Sequence, residues 1–402
     1  MNFKVYNPEP MSRTRHSENG EPLGLDAYQE FVGETGRINA PSADRLKIFL
    51  LGLFGETGSL LGELKKNLRD KDSYDAYQES VLEEFGDVLW YFASVARLKD
   101  ARLSEIAGDA SGRLAGRGCR IKDDPVTFAD LQFSKAERAN QQPLILAGKV
   151  GQLVDVLIVE DFNDERNRFW NNLVEVFLAL VEAASAADVD LDKAARHNRK
   201  KILDRWPINE EWGSLYDDEF DEDEQLPRRI EMVFKEKNIA GKKHVIQKCN
   251  GIKVGSPLTD NRHDADDYRF HDVFHLTYAA VLGWSPVLRA LFRLKRKSLP
   301  QIDENEDGAR AIVIEESVSI WIFNYGLKHD LFRNVETGAL DSRILRSVRR
   351  LVDGYEVQDR PSWQWERAIL EGFRVFRELK EHRGGTVVAD LNERSVTFIE
   401  PE

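Results

Sequence analysis

The chain has 402 residues and a formal net charge of −13, with 42% hydrophobic and 32% charged residues, a composition that suits a folded protein with room for two or three cores. The acidic balance excludes general nucleic-acid binding, because a phosphate backbone attracts basic surfaces; free nucleotides stay allowed, since a bound metal inverts the local field. Two cysteines, Cys119 and Cys249, make no disulfide framework, the N-terminal stretch MNFKVYNPEPMSRTRHSENGEP has no apolar leader core, and no run of about 18 apolar residues occurs, so a cytoplasmic protein without a membrane partner is expected.

Helical periodicity runs over 25–206, with polar or Gly-rich breaks expected at 67–75, 108–125 and 160–168. An acidic run from Asp217 to Glu224 repels itself and reads as a solvated linker. The expected organisation is therefore a first domain at 22–207, a linker at 208–226 and a second domain at 227–402. Beyond the linker, 229–235 and 244–254 alternate like strands, with Asn250-Gly251 as a tight-turn signal. Helices are expected at 268–294, 304–325 and 342–381, and a hairpin at 386–391 and 394–399. The fold class is mainly α, with a second, mostly helical α+β domain whose small β element is built from its two ends.

Chemistry concentrates in 52–66, GLFGETGSLLGELKK, and 81–96, VLEEFGDVLWYFASVA. On a helix Glu56 and Glu63, close to two turns apart, share one face, and so do Glu84 and Asp87. Apolar neighbours such as Leu53, Leu60, Phe85, Val88 and Leu89 draw these acids toward a bundle interior. Desolvating a carboxylate costs several kcal/mol or shifts its pKa. A hard divalent cation holds such acids together at least cost, and all-oxygen donors suit Mg2+ or Mn2+.

The first domain also repeats itself. Laying 55–60 on 148–153 superposes both glycines, and 83–88 falls on 171–176. Ala110, Arg113 and Arg117 follow Asp87 by 23, 26 and 30 residues, and Asn198, Lys201 and Arg205 follow Glu175 by the same steps. This spacing reads as a duplication, copy one at 25–118 and copy two at 138–207. In copy two, Lys149, Gln152 and Asn172 stand where copy one has Glu56, Ser59 and Glu84. Copy two is thus expected to bind no catalytic metal.

The acidic stretches resemble the MazG-like, all-α nucleoside triphosphate pyrophosphohydrolases, whose signature is E-x-x-E on one helix and E-x-x-D on the next. The resemblance covers 25–207 and implies a tandem helical bundle, a pseudo-dimer, with Glu56, Glu84 and Asp87 as Mg2+ or Mn2+ ligands and Glu83 beside them. Ser59 replaces the second Glu of the first motif, so Glu63, one turn on, is expected to serve as a further ligand or water-orienting base. The implied reaction is hydrolysis of a nucleoside triphosphate to monophosphate and pyrophosphate. Asn198-x-x-Lys201-x-x-x-Arg205 resembles the family's N-x-x-K substrate motif, so copy two would complete a site that copy one begins. The plainer alternative makes copy two a scaffold. Lys65, Lys66 and Arg69 are candidates to neutralise the outgoing pyrophosphate, or else a solvated helix end. A reading from another class is a nucleotide-sensing module with slow or no turnover. A homodimer is allowed.

In the second domain His271 and His275, at i and i+4, can present two imidazoles to one transition metal, with Asp272 between them and Glu315 on the next helix. Three functional readings are open: a diverged bundle with histidines for acids, a metal phosphohydrolase with an HD dyad, and a shortened H-E-x-x-H zinc helix. Polar groups paired in the core are the structural alternative. The segment through 279–286 resembles a C-terminal extension of some MazG-like proteins, which carries no activity with it.

Overall fold

The structure, a computed structural model, describes residues 21–36, 42–70, 77–114, 126–131, 141–158 and 165–401. The chain is mainly helical with one small antiparallel sheet, as its periodicities predict, and forms two compact units, Met1–Leu203 and Asp204–Glu402. Among the described residues no helix is long and apolar enough to cross a membrane.

The first unit contains α1 (Leu25–Thr35), α2 (Ser42–Asp70), α3 (Tyr77–Leu98), α4 (Leu103–Leu114), α5 (Gln142–Ile158), α6 (Glu165–Ala186) and most of α7 (Leu191–Arg205). Helix α2 packs on α3, α5 on α6, and α2 on α5. The apolar stripe of α3, with Val81, Phe85, Val88, Leu89, Phe92 and Ala96, is wholly buried, at the i, i+3, i+4 spacing of a core-facing helix. Helix α6 buries Leu173, Val176, Phe177, Leu180 and Ala184 in the same way.

The two helix pairs recur at a constant offset. Tyr77 and Glu165, Leu98 and Ala186, and Leu103 and Leu191 each stand 88 residues apart. So do the residues that end α3 and α6. Asp100 (φ 55°) and Asp188 (φ 58°) adopt the left-handed conformation, and the next residue's N–H reaches back to a helical carbonyl, Ala101 to Ala96 and Val189 to Ala184. This is the carbonyl-capping turn that closes a helix C-terminus. The break expected from 108 onward is corrected here: α4 continues to Leu114 and the chain turns at Asp100 instead. Gly108 and Gly112 made 108–114 look like a loop, but each fits a helix surface with open space beyond it. Arg117, Cys119 and the rest of 115–125, like 71–75 and 160–164, lie outside the described residues.

The second unit is built on a sheet of order β3-β2-β1-β4-β5, all antiparallel, from β1 (Arg229–Ile239), β2 (Lys242–Cys249), β3 (Ile252–Leu258), β4 (Gly384–Asp390) and β5 (Ser395–Ile399). Met232 faces Val387 across the central pairing, so the last hairpin closes on the first strand. Asn250 and Gly251 both take positive φ, and so do Ala240 and Gly241, as two-residue hairpin turns of right-twisted strands require. The strand-like stretch 244–254 accordingly falls on two strands joined at the expected Asn250-Gly251 turn. Around the sheet lie α8 (Asp272–Leu282), α9 (Pro286–Phe292), α10 (Pro300–Asn305), α11 (Ala309–Leu327), α12 (Ser342–Leu351) and α13 (Ser362–His382). Helices α8 and α13 pack on each other and on β4 and β5, and every residue of α8 is buried.

The acidic stretch is not a solvated linker throughout. Asp217 is 1% exposed and accepts hydrogen bonds from Leu226 N (2.8 Å), Arg228 Nη1 (2.7 Å) and Arg289 Nη2 (2.6 Å). Burial raises its pKa, but Arg289 and the other donors outweigh that and hold it below the usual carboxylate range. Leu215 and Leu226 join the second unit's core. A charge run counted along the chain omits partners from distant segments, and Arg289 stands 72 residues away.

Candidate active site

Two glycines let the helices of the first unit come close enough to gather its polar groups. A Cβ on Gly52 would lie 2.0 Å from the Tyr91 ring, so this glycine lets α3 seat against α2 one turn before Glu56. A Cβ on Gly86 would lie 2.8 Å from the Ala194 carbonyl oxygen and 2.9 Å from Asn198 Cβ, so Gly86 lets α7 lie against α3 between Glu83 and Asp87.

At this crossing Glu56 from α2 and Glu84 and Asp87 from α3 each offer a carboxylate oxygen, all within 4.8 Å of one another. Asp87 accepts hydrogen bonds from Asn198 Nδ2 (2.9 Å) and Lys201 Nζ (2.5 Å), and Lys201 also donates to Glu83 Oε1 (2.7 Å). Tyr28 on α1 donates its hydroxyl to Asn198 Oδ1 (2.9 Å), which turns the amide nitrogen toward Asp87. Tyr28 carries no motif, and nothing in the spacing points to it.

The electrostatics separate these acids. Burial lifts the Glu84 carboxyl to about 7, helped by Glu56, Asp87 and Glu83, and Lys201 only partly opposes it. Glu84 Oε2 is buried without a hydrogen-bond partner. Burial also raises Asp87, with Lys201 and Asn198 acting against it. Lys201 is depressed by burial, yet Asp87 and Glu83 outweigh this and raise its pKa. A buried, unsatisfied carboxylate oxygen in an all-oxygen donor set is what a hard divalent cation would satisfy, so the residues present fit Mg2+ or Mn2+.

The remaining expected residues fall elsewhere. Glu63 is buried but outside the three-carboxylate group, and its Oε1 pairs with Lys66 Nζ at 2.6 Å. Two helical turns put Glu63 and Glu56 on one face but leave them about 10 Å apart along the axis. Ser59 is exposed, as is Lys65, and Arg69 is paired with Asp70 at 2.6 Å. The Arg205 guanidinium donates to the carbonyls of Leu340 and Gly338 and lies 4.8 Å from the Trp206 ring centroid.

At the positions 88 residues beyond Asp87 and Glu83, Glu175 (3.1 Å) and Asn171 accept from Arg113 on α4, as Asp87 and Glu83 do from Lys201. Lys149, in the place of Glu56, pairs with Glu175 at 3.1 Å. Burial raises the Glu175 carboxyl, but Lys149 and Arg113 outweigh it and hold the pKa low.

In the second unit Asp272 and His275 lie on α8, His271 just before it and Glu315 on α11. Glu315 is not the carboxylate that converges on the imidazoles. Its Oε1 is taken by His275 Nδ1 (2.8 Å) and Ser285 Oγ (2.7 Å), and its Oε2 by Val287 N (2.8 Å). The next residue, Glu316, groups with His271 and His275. Helical spacing from α8 alone cannot tell which of two adjacent acids on α11 faces it. Asp307, also acidic and buried, is held by Arg296 at 2.7 Å.

Residues 211–402 match the model of the MazG C-terminal domain family. The match falls on the segment read as an extension, whereas the acidic motifs of the resemblance lie at 56–87. The chain belongs to the same family as the Gene 37 protein of Mycobacterium phage L5, with 32% identity over 101 residues, 24% of this chain and 89% of that protein. No solved structure matches the chain.

Proposed function

We propose that the first unit hydrolyses a nucleoside triphosphate, in the presence of Mg2+ or Mn2+, to a nucleoside monophosphate and pyrophosphate. The observation that carries this reading is the convergence of Glu56, Glu84 and Asp87, with a buried Glu84 oxygen left unsatisfied. A MazG-related second unit agrees with a nucleotide pyrophosphohydrolase in general terms. Glu56, Glu84 and Asp87 would hold the cation, which when bound screens the phosphates and acidifies a water molecule.

The chain's own groups then divide the work. Glu83 lies at the edge of the cluster, where it accepts from Lys201 and can accept from a water instead. Lys201 brings a positive charge to the rim, balanced by Glu83 and Asp87 until phosphate oxygens compete for it. Asn198, fixed by Tyr28, offers an amide donor beside it. The recurrence of helix ends at an offset of 88 residues, and of the Lys201–Asp87 contact as Arg113–Glu175, supports a duplication in which copy two lends α7 to the acids of copy one.

Pyrophosphate release from a panel of NTPs and dNTPs with Mg2+ or Mn2+ tests the proposal. Release that is absent without the cation and lost in Asp87→Asn supports hydrolysis. Tight nucleotide binding with no pyrophosphate from any member of the panel would replace it with the sensor reading.

A further inference from the structure

Helix α8 is enclosed on every face, and an enclosed helix is ordinarily apolar all round. Thr277 has a local explanation, since its hydroxyl returns to the Val273 carbonyl at 2.7 Å. His275 has none of that kind. It is fully buried, and Glu315 fixes its ring through Nδ1. Glu315 is itself immobilised by Ser285 and Val287 N. With Nδ1 donating to a carboxylate, the neutral ring has Nε2 as its lone-pair nitrogen, and that atom is buried with no hydrogen-bond partner.

One turn earlier His271 is arranged the same way. Its Nδ1 lies 2.9 Å from the Tyr268 carbonyl oxygen, and the ring stacks on Tyr268 with centroids 4.2 Å apart and planes 4° from parallel. Its Nε2 is left facing Asp272 Oδ1 at 3.1 Å and Glu316 Oε2 at 3.8 Å. The other oxygen of Glu316 stands 3.6 Å from His275 Nε2. One ligand atom each from His271, His275 and Glu316 fits within 4.8 Å.

We propose that His271 Nε2, His275 Nε2 and Glu316 bind a first-row divalent transition cation, with Glu315 and the Tyr268 carbonyl as the groups that orient the two imidazoles. Ring nitrogens held from behind by a carboxylate and a backbone carbonyl are the usual support of metal-binding histidines. Two ligands of one tetrahedral ion with bonds of about 2.0–2.1 Å stand roughly 3.3 Å apart, and the Glu316 oxygens, at 3.6 and 3.8 Å from the two Nε2 atoms, are within a small side-chain shift of that separation. The competing arrangement is an imidazolium at His275 clamped between Glu315 and Glu316, and the titration below separates the two. Three protein ligands leave a position for water, which is the composition of a catalytic rather than a structural zinc site. The Glu316 side chain is 43% exposed, and Asp272 Oδ1 stands 3.1 Å from His271 Nε2.

Full-length protein carrying Glu84→Gln, to silence the first-unit carboxylates, is stripped with a chelator and titrated with Zn2+, Fe2+ under anaerobic conditions, and Mn2+ by calorimetry. One equivalent of Zn2+ or Fe2+ is expected to bind at least tenfold more tightly than Mn2+, the order a site with two imidazoles imposes. Glu316→Gln changes a half-exposed side chain and should fold, while His271 is buried, so circular dichroism checks the fold of His271→Ala first; each should weaken that binding by a hundredfold or more, and Glu315→Gln by about 10–100-fold as an orienting group. Co2+ in the same site should give a visible d–d spectrum that His271→Ala abolishes. Absence of stoichiometric binding, or equal affinity in Glu316→Gln and its parent, overturns the site and leaves His275 as an internal ion pair.

Discussion

Glu84→Gln should make the metal-free protein more stable at neutral pH while removing its use for divalent cations. In the folded chain burial and the neighbouring acids lift Glu84 from 4.5 to about 7. Below pH 4.5 both states hold the proton and the group contributes no penalty. Between 4.5 and 7 the folded state binds more protons than the unfolded one, so stability falls as pH rises through that window and then levels off. A shift of roughly 2.5 units at about 1.36 kcal/mol each is about 3.4 kcal/mol. The carboxyl is only partly enclosed, and discounting by half for solvent screening leaves about 1.5–2 kcal/mol. Gln keeps the shape without the charge, so that loss should vanish in the variant. Urea unfolding at pH 5 and pH 7.5 measures it, with exchange protection of α3 amides reporting the first unit by itself. Mg2+ should restore the wild type at pH 7.5 far more than at pH 5, where the ion must displace a proton, and should leave the variant unchanged. If wild type and Glu84→Gln lose equal stability across the window, burial and the neighbouring acids do not lift Glu84, and the reasoning from its pKa is refuted.

Lys201→Ala should lower kcat/KM for the nucleotide by about tenfold or more, on the scale of about 1.5–3 kcal/mol for a hydrogen bond to a charged group, while a folded variant with wild-type kcat and KM would reduce copy two to scaffold. Gly86→Ala gains about 1 kcal/mol in helix propensity, but its new methyl group meets the Ala194 carbonyl, which cannot rotate away; overpacking of about 1–3 kcal/mol should win, lowering stability in urea and raising KM together, and an unchanged KM would show that α7 need not lie so close. Arg205→Ala should leave nucleotide KM unchanged and lower the second unit's resistance to thermolysin, since its guanidinium serves the Leu340 and Gly338 carbonyls; a raised KM would return Arg205 to the substrate.

Much of the local structure follows from residues near one another in the chain. The period of α3 and α6, the E-x-x-D pair and the Asn250-Gly251 turn are set by helix geometry and backbone sterics. The equal steps of 26 residues from Asp87 to Arg113 and from Glu175 to Lys201 are likewise readable, because they are counts along the chain. Distances between elements are different in kind. That Asn198 turns its amide to Asp87 depends on Tyr28, 170 residues away, and on the missing side chain of Gly86. The acidic run at Asp217 looked solvated because its partners Arg228 and Arg289 arrive only on folding. Glu315 and Glu316 are adjacent, equally acidic and equivalent to any count of spacing; only the packing of α11 against α8 and α9 commits one to holding His275 and turns the other toward both imidazoles. Helical phase separates neighbours by about 100°, and which direction faces inward is decided by the tertiary core.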